Sequence, residues 1–189
     1  MLGPRLNSAG PDPADLHPVF SPFVHPMPKK IQPSPSATKE VEVLLGQFRL
    51  EDVPSHLLRR AHFKAEEIFA TTFAEEGVTP RQKAALVLLH QEPGLNQNAL
   101  AERLSMDRNT VAEMVRRMST GGLIERRPSP GDARAYQLFV APGGVELLNR
   151  VMPRDAAVED QLLAMLPEEY RGLFVKCLRL IAGVGAGDA

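Results

Sequence analysis

Asp107-Arg108-Asn109-Thr110 places four polar side chains in a row, just ahead of Val111, Met114, Val115 and Met118, which are apolar and recur at three- and four-residue spacing. That pattern describes a helix fixed to a scaffold by one face, with a hydrogen-bonding leading end. Arginine, asparagine and threonine donate or accept at base edges and phosphates, and a recognition helix meets the major groove with its N-terminal residues. Arg116 and Arg117 lie two turns further on, spaced for backbone phosphates. Arg126, Arg127 and Arg134 flank the turn-forming run Ser129-Pro130-Gly131-Asp132. An arginine carried on a projecting loop suits the narrow minor groove, where negative potential is strongest. Residues 103–134 hold seven arginines, four acids and no lysine, a local excess of three positive charges in a chain of net charge −1. Arginine is the better bidentate reader of the two cations. The chemistry these residues suit is recognition of double-stranded DNA.

The surrounding pattern supplies elements to position them. From about Thr38, Val41, Leu44, Leu45 and Phe48 recur with helical spacing up to Pro54. A second helix is expected from Ser55 to Glu76, with Leu58, Ala61, His62, Ala65, Ile68, Phe69, Thr72 and Phe73 on one face and Gly77 closing it. Thr79 and Pro80 read as N-cap and first-turn proline of a third helix, which buries Ala84, Ala85, Leu88 and Leu89 and stops before Pro93-Gly94. Two short helices follow, capped by Asn96 and Asp107; the first buries Leu100, Ala101 and Leu104. Gly121-Gly122 supplies a left-handed stop, with Leu123 packing back as in a Schellman cap. The period then falls to two, so Leu123–Arg127 and Ala135–Val140 read as the strands of a hairpin. Pro142-Gly143-Gly144 opens a long helix running to Leu166, which Pro153 is expected to kink or divide. Pro167, Glu168 and Glu169 start the last helix, with Leu173, Phe174, Cys177, Leu178 and Ile181 as its apolar stripe. The expected fold is mainly α with a small β-wing, a winged helix-turn-helix.

Composition narrows the function classes. The 189 residues are 43% hydrophobic and 24% charged, suited to a globular core. The single cysteine excludes an internal disulfide, and the chain reads as cytoplasmic. No apolar run is long enough for a membrane span, and the N-terminus does not read as a secretory signal. There is no glycine-rich phosphate loop, no His-x-x-x-His pair and no Gly-x-Ser-x-Gly elbow, and the five histidines are scattered. No catalytic residue, metal ligand or cofactor is therefore expected. Residues 1–36 contain nine of the 17 prolines; they read as a tail, or as an arm that packs on a partner through Val19, Phe20, Phe23 and Val24.

Residues 80 to about 152 resemble the MarR family of bacterial regulators. The matching runs are Leu100-Ala101-Glu102-Arg103-Leu104, Asp107-Arg108-Asn109-Thr110-Val111, Gly122-Leu123-Ile124-Glu125-Arg126-Arg127, Asp132-Ala133-Arg134-Ala135 and Val140-Ala141-Pro142-Gly143-Gly144. The resemblance implies that Asp132 braces Arg134 as it enters the minor groove. Ala141-Pro142 departs from the family's usual Leu-Thr, so a changed helix cap is expected there. The resemblance also implies a homodimer whose first and last helices intertwine, and the two terminal regions are apolar beyond what the middle can cover. The expected organisation is a proline-rich tail or arm over 1–37, N-terminal dimerisation helices over 38–78, a winged helix-turn-helix DNA-binding lobe over 79–141, C-terminal dimerisation helices over 142–183 and a frayed tail over 184–189.

Members of the family often respond to small aromatic compounds bound between the dimer helices and the DNA lobe. Candidate contacts here are Arg59, Arg60, His62, Phe63, Phe69 and Met114. A lone histidine on an apolar face such as His62 is more often a hydrogen-bonded core residue than a ligand contact. Arg59 and Arg60 suit a carboxylate or phosphate, or form a solvated face or dimer ion pairs. His62-Phe63-Lys64-Ala65 resembles regulators of aromatic-acid breakdown, some of which bind an aromatic acyl-CoA thioester. The expected function is thus a repressor released from a palindromic operator by an aromatic compound or its thioester. Two alternatives stand beside it: a winged-helix protein-interaction module, and a redox sensor using Cys177, although a thiol on an apolar stripe is expected to be buried and inert.

Overall fold

The computed structural model describes residues 35–129 and 132–185, with side chains from residue 39 onward except those of 132–134. Seven helices and one hairpin follow in the order α1 (Pro35–Gln47), a short 3-10 helix (Leu50–Asp52), α2 (Pro54–Thr72), α3 (Pro80–Gln91), α4 (Gln97–Arg103), α5 (Arg108–Thr120), β1 (Ile124–Ser129), β2 (Asp132–Val140), α6 (Pro142–Leu163) and α7 (Glu168–Ile181). This is the mainly helical, winged arrangement expected. The proline-rich segment read as tail or arm lies outside the described residues.

Local chemistry sets most boundaries. Thr79 accepts from the Gln82 amide while the Gln82 side chain accepts from Thr79 N–H, a complete capping box ahead of Pro80. Asn96 Oδ1 accepts from Ala99 N–H at 2.9 Å and Asp107 Oδ1 from Thr110 N–H at 2.8 Å. At the end of α5, Leu123 N–H donates to Met118 O and Gly122 N–H to Ser119 O, the Schellman pattern. Only Gly122, at φ +69°, is left-handed there; Gly121 is not. Ala141 caps α6 with its backbone alone, Val145 N–H donating to its carbonyl, as the departure at Ala141-Pro142 led one to expect.

The core joins α3, α4, α5 and the hairpin to the C-terminal part of α2 and one face of α6. Leu86, Leu100, Val111, Val115, Met118, Ile124, Leu138 and Val151 are all buried in it. Strands β1 and β2 pair antiparallel, Ile124 opposite Val140 and Arg127 opposite Gln137. The loop before α4 is stitched to β2, since Gly94 N–H donates to Leu138 O and Leu138 N–H to Leu95 O. The wing is thereby tied to the helical pair.

Several expectations need correction. Helix α2 ends at Thr72 and not at Glu76. Its N-terminal face, with Leu58, Ala61 and His62, is exposed in the single chain; only Ile68, Phe69 and Phe73 of that stripe are buried. In α3 the buried residues are Ala85, Leu86 and Leu89, with Ala84 and Leu88 half-buried. Pro153 does not divide α6. It cannot donate to the carbonyl one turn back, but anchors on both sides hold the helix together. Val151 and Val158 are buried, Arg154 pairs with Glu76 at 2.5 Å and stacks on Phe73, and Asp155 pairs with Lys83 at 2.5 Å. Pro167 occupies the N-cap of α7, not its first turn. No residue of α7 is buried, and Cys177 is exposed, contrary to the buried thiol expected from the stripe.

Gly144 marks the tightest contact between α6 and the hairpin. A Cβ there would collide with the Leu123 carbonyl and lie 2.8 Å from Val140 Cγ1. The obstructing atom is backbone, which cannot swing away, so Gly144→Ala is expected to destabilise the protein by about 3 kcal/mol. Urea unfolding should show a lowered midpoint at unchanged slope; a midpoint equal to wild type would refute the contact.

Candidate nucleic-acid interface

Helix α5 presents two different faces. Val111, Val115 and Met118 are fully buried, whereas Arg108, Asn109, Thr110, Arg116 and Arg117 are exposed. The preceding turn is tight: Ser105 takes φ +51°, and Met106 N–H donates to Ala101 O at 3.0 Å. The leading end of α5 therefore projects beside α4 with its polar side chains outward. Asp107 spends its carboxylate on the cap, and hydrogen bonds from Thr110 hold its pKa below the ordinary range.

The arginines are not bare. Glu113 accepts from Arg116 through both oxygens, at 2.8 Å from Nε and 2.7 Å from Nη2, and from Arg117 Nε at 2.7 Å. These hydrogen bonds, from Arg116 first and Arg117 second, pull the Glu113 carboxyl down to about 2. Arg103 pairs with Glu92, and Arg127 with Glu125 at 2.9 Å while stacking 4.2 Å from the Phe139 ring centre. Arg126 is exposed on β1, beside a polar hollow it shares with Asn96, Asn98 and Tyr136. Asp132 and Arg134 lie on β2, but the bracing of one by the other concerns side chains outside those described.

A cleft opens where α2, α3 and α5 converge, formed of two adjoining cavities of about 630 and 490 Å³ that share Arg81, Met106 and Thr110. The larger adds His62, Glu66 and Ala84, and the smaller Thr79, Glu113, Met114 and Arg117. Glu66 sits between two basic groups, 3.4 Å from His62 Nε2 and 4.0 Å from Arg81 Nη2. Of the candidate ligand contacts, His62 and Met114 line this cleft. Phe69 does not: it is a core residue packed on Phe73 under the Lys83 ammonium. Arg59, Arg60 and Phe63 are exposed on α2 and line neither cavity. Arg81 and Met106 went unnoticed in the sequence because they reach the cleft only once three elements meet. Glu113 did carry a local signal, its spacing of three and four residues before two arginines.

A family model described as "MarR family" matches residues 78–136. A putative transcriptional regulatory protein for the hcr operon of Thauera aromatica is 35% identical over 123 residues, covering 65% of this chain and 74% of its own. The chain belongs to the MarR family. Among solved structures, the PcaV transcriptional regulator of Streptomyces coelicolor, in complex with its natural ligand, aligns with TM-score 0.66 at 32% identity over 72% of this chain and 96% of that one. The transcriptional repressor CouR bound to a 23-mer DNA duplex aligns with TM-score 0.65 at 30% identity, over 70% and 94%. This MarR-family chain is accordingly a transcriptional regulator. Among its described residues no helix is long and apolar enough to cross a membrane, and no three or more His, Cys, Asp or Glu side chains group to hold a metal.

The Glu113 clamp has a direct readout. Its folded pKa is lowered, so its contribution is complete above the ordinary 4.5 and disappears as pH falls through about 2. A carboxyl-carbon NMR titration should find its midpoint near 2, moving back toward 4.5 in Arg116→Ala and further in Arg116→Ala/Arg117→Ala. A wild-type midpoint near 4.5 would mean that the clamp does not form in solution.

Proposed function

We propose that the chain acts as a homodimeric repressor that grips a two-fold symmetric operator through α5 and the wing. A small aromatic acid or its acyl-CoA thioester in the cleft then releases it. The observation that carries this reading is the division of α5 into a fully buried apolar back and an exposed polar front. Arg108, Asn109 and Thr110 then meet base edges and phosphates. Arg116, Arg117, Arg126 and Arg127 meet phosphates, and Arg134, braced by Asp132, enters the minor groove.

Residues 79–141 form the DNA-binding lobe in this reading, and the helices either side of it the dimerisation region. Val41, Leu44 and Leu45 on α1 and Phe48 just after it are exposed, as are Leu173, Leu180 and Ile181 on α7. Apolar faces of this extent on both terminal helices are suited to a second copy of the chain. The effector class is supported by the cleft, which offers His62 and Arg81 for a carboxylate and Met106 and Met114 for a ring. It is also supported by CouR, which has been solved bound to p-coumaroyl-CoA and aligns at 28% identity with TM-score 0.65.

A titration of the dimer against the DNA upstream of its own gene, at several salt concentrations, tests the reading. Wild type should bind specifically, with an affinity that falls steeply with salt. Arg134→Ala should lose roughly tenfold to a hundredfold. Binding no better than to random duplex would sink the regulator mechanism and favour a protein partner for the winged face. In the same assay aromatic acids and their thioesters should weaken binding, and Arg81→Ala should blunt that response while leaving DNA affinity near wild type. No response to any of them would remove the effector class while leaving DNA binding intact.

A further inference from the structure

Glu113 sits on the same exposed face of α5 as the residues assigned to DNA, one turn beyond Asn109 and Thr110 and one turn before Arg116 and Arg117. It is an acid in the middle of the surface proposed to face a polyanion. Its carboxylate takes the fork of Arg116 through both oxygens and the Nε of Arg117 through one of them. Bidentate arginine–carboxylate geometry is the strong form of the ion pair, and a glutamate N-terminal to its arginines on a helix is the favourable order. A phosphate bound at the same Nε edge asks for the same N–H groups in the same planar geometry. The two guanidiniums therefore cannot serve Glu113 and a phosphate fully at once.

We propose that Glu113 is an internal competitor for DNA phosphate, one that holds Arg116 and Arg117 on the surface of α5 and sets the chain's affinity for duplex DNA below what its arginines would otherwise reach. The proposal rests on the DNA-binding reading above and specifies a control within it. A phosphate that takes these N–H groups must break the clamp and leave an uncompensated carboxylate beside it. Other arginines of residues 103–134 are also paired, Arg103 with Glu92 and Arg127 with Glu125. Glu113 differs from those acids in holding two guanidiniums at once.

Glu113→Gln tests this, because glutamine keeps the shape and helix propensity of glutamate and removes its charge. Fluorescence anisotropy with the upstream duplex and with a random duplex should show binding tightened about threefold to tenfold on both. The slope of log affinity against log salt should steepen by about one, as an additional phosphate charge is neutralised. In an Arg116→Ala/Arg117→Ala background the same substitution should give a clearly smaller gain, because nothing is left to release. Unchanged or weaker binding by folded Glu113→Gln overturns the proposal. So does a full gain in the double-alanine background, which would leave only bare charge repulsion. If wild type binds neither duplex, the DNA reading itself has failed, and the competition is then read on immobilised heparin, a polyanion without bases. There Glu113→Gln must elute at higher salt than wild type, and equal elution refutes the proposal.

Discussion

Val111, Val115 and Met118 are packed out of solvent on one side of α5, and that burial decides which way every polar residue of the helix points. Burying three such side chains is worth several kcal/mol, on the order of 1.5–3 each, far more than any rearrangement of surface ion pairs could recover. The helix cannot roll about its axis without exposing them. Asp107, capping through its own carboxylate, fixes where the helix begins, and the Schellman turn at Gly122 fixes where it ends. Between those stops the outward face can only be the one carrying Arg108, Asn109, Thr110, Glu113, Arg116 and Arg117.

The core that holds α5 also takes in α2 and α6, and polar contacts reinforce that junction. Lys83 meets Asp155, and Arg154 meets both Glu76 and the Thr72 carbonyl, so α6 is tied to α3 and to the end of α2 beyond the position of Pro153. The cleft lies where α2 and α3 approach the start of α5, and its walls are shared among these three helices and the turn before α5. Any occupant that draws Thr110 toward itself pulls on α5 directly, and one that draws Arg81 pulls on α3.

What was legible in the sequence was mostly local chemistry. Thr79-Pro80, Asn96, Asp107 and Gly122 each mark a boundary because the hydrogen bond or dihedral they supply acts within four residues. The fall in period after Gly122 announced the hairpin for the same reason. Less legible was everything that depends on which element covers a face. The stripe through Leu58, Ala61 and His62 says that one side of α2 is apolar, but not that this side extends past the lobe. His62 and Cys177 were both read inward and both lie exposed in the single chain. Phe69, a candidate ligand contact on the same stripe as His62, lies two turns further along and in the core. The fate of α6 at Pro153 was settled by ion pairs to residues more than seventy positions away.

Net charge is a poor guide to this chain for a related reason. A field that steers a polyanion is felt over about 8 Å at physiological ionic strength, so only the charges on one face matter. The excess of three positive charges is local to residues 103–134, while the chain as a whole is at −1. Glu113 and Glu125 are already subtracted in that figure, and Glu92, which holds Arg103 from outside the stretch, lowers the free charge further. A face whose arginines are held by carboxylates attracts a polyanion weakly at a distance and would yield its full set of donors only where phosphates displace those carboxylates. Such an exchange favours a partner that matches the arginines' positions over one that merely carries charge.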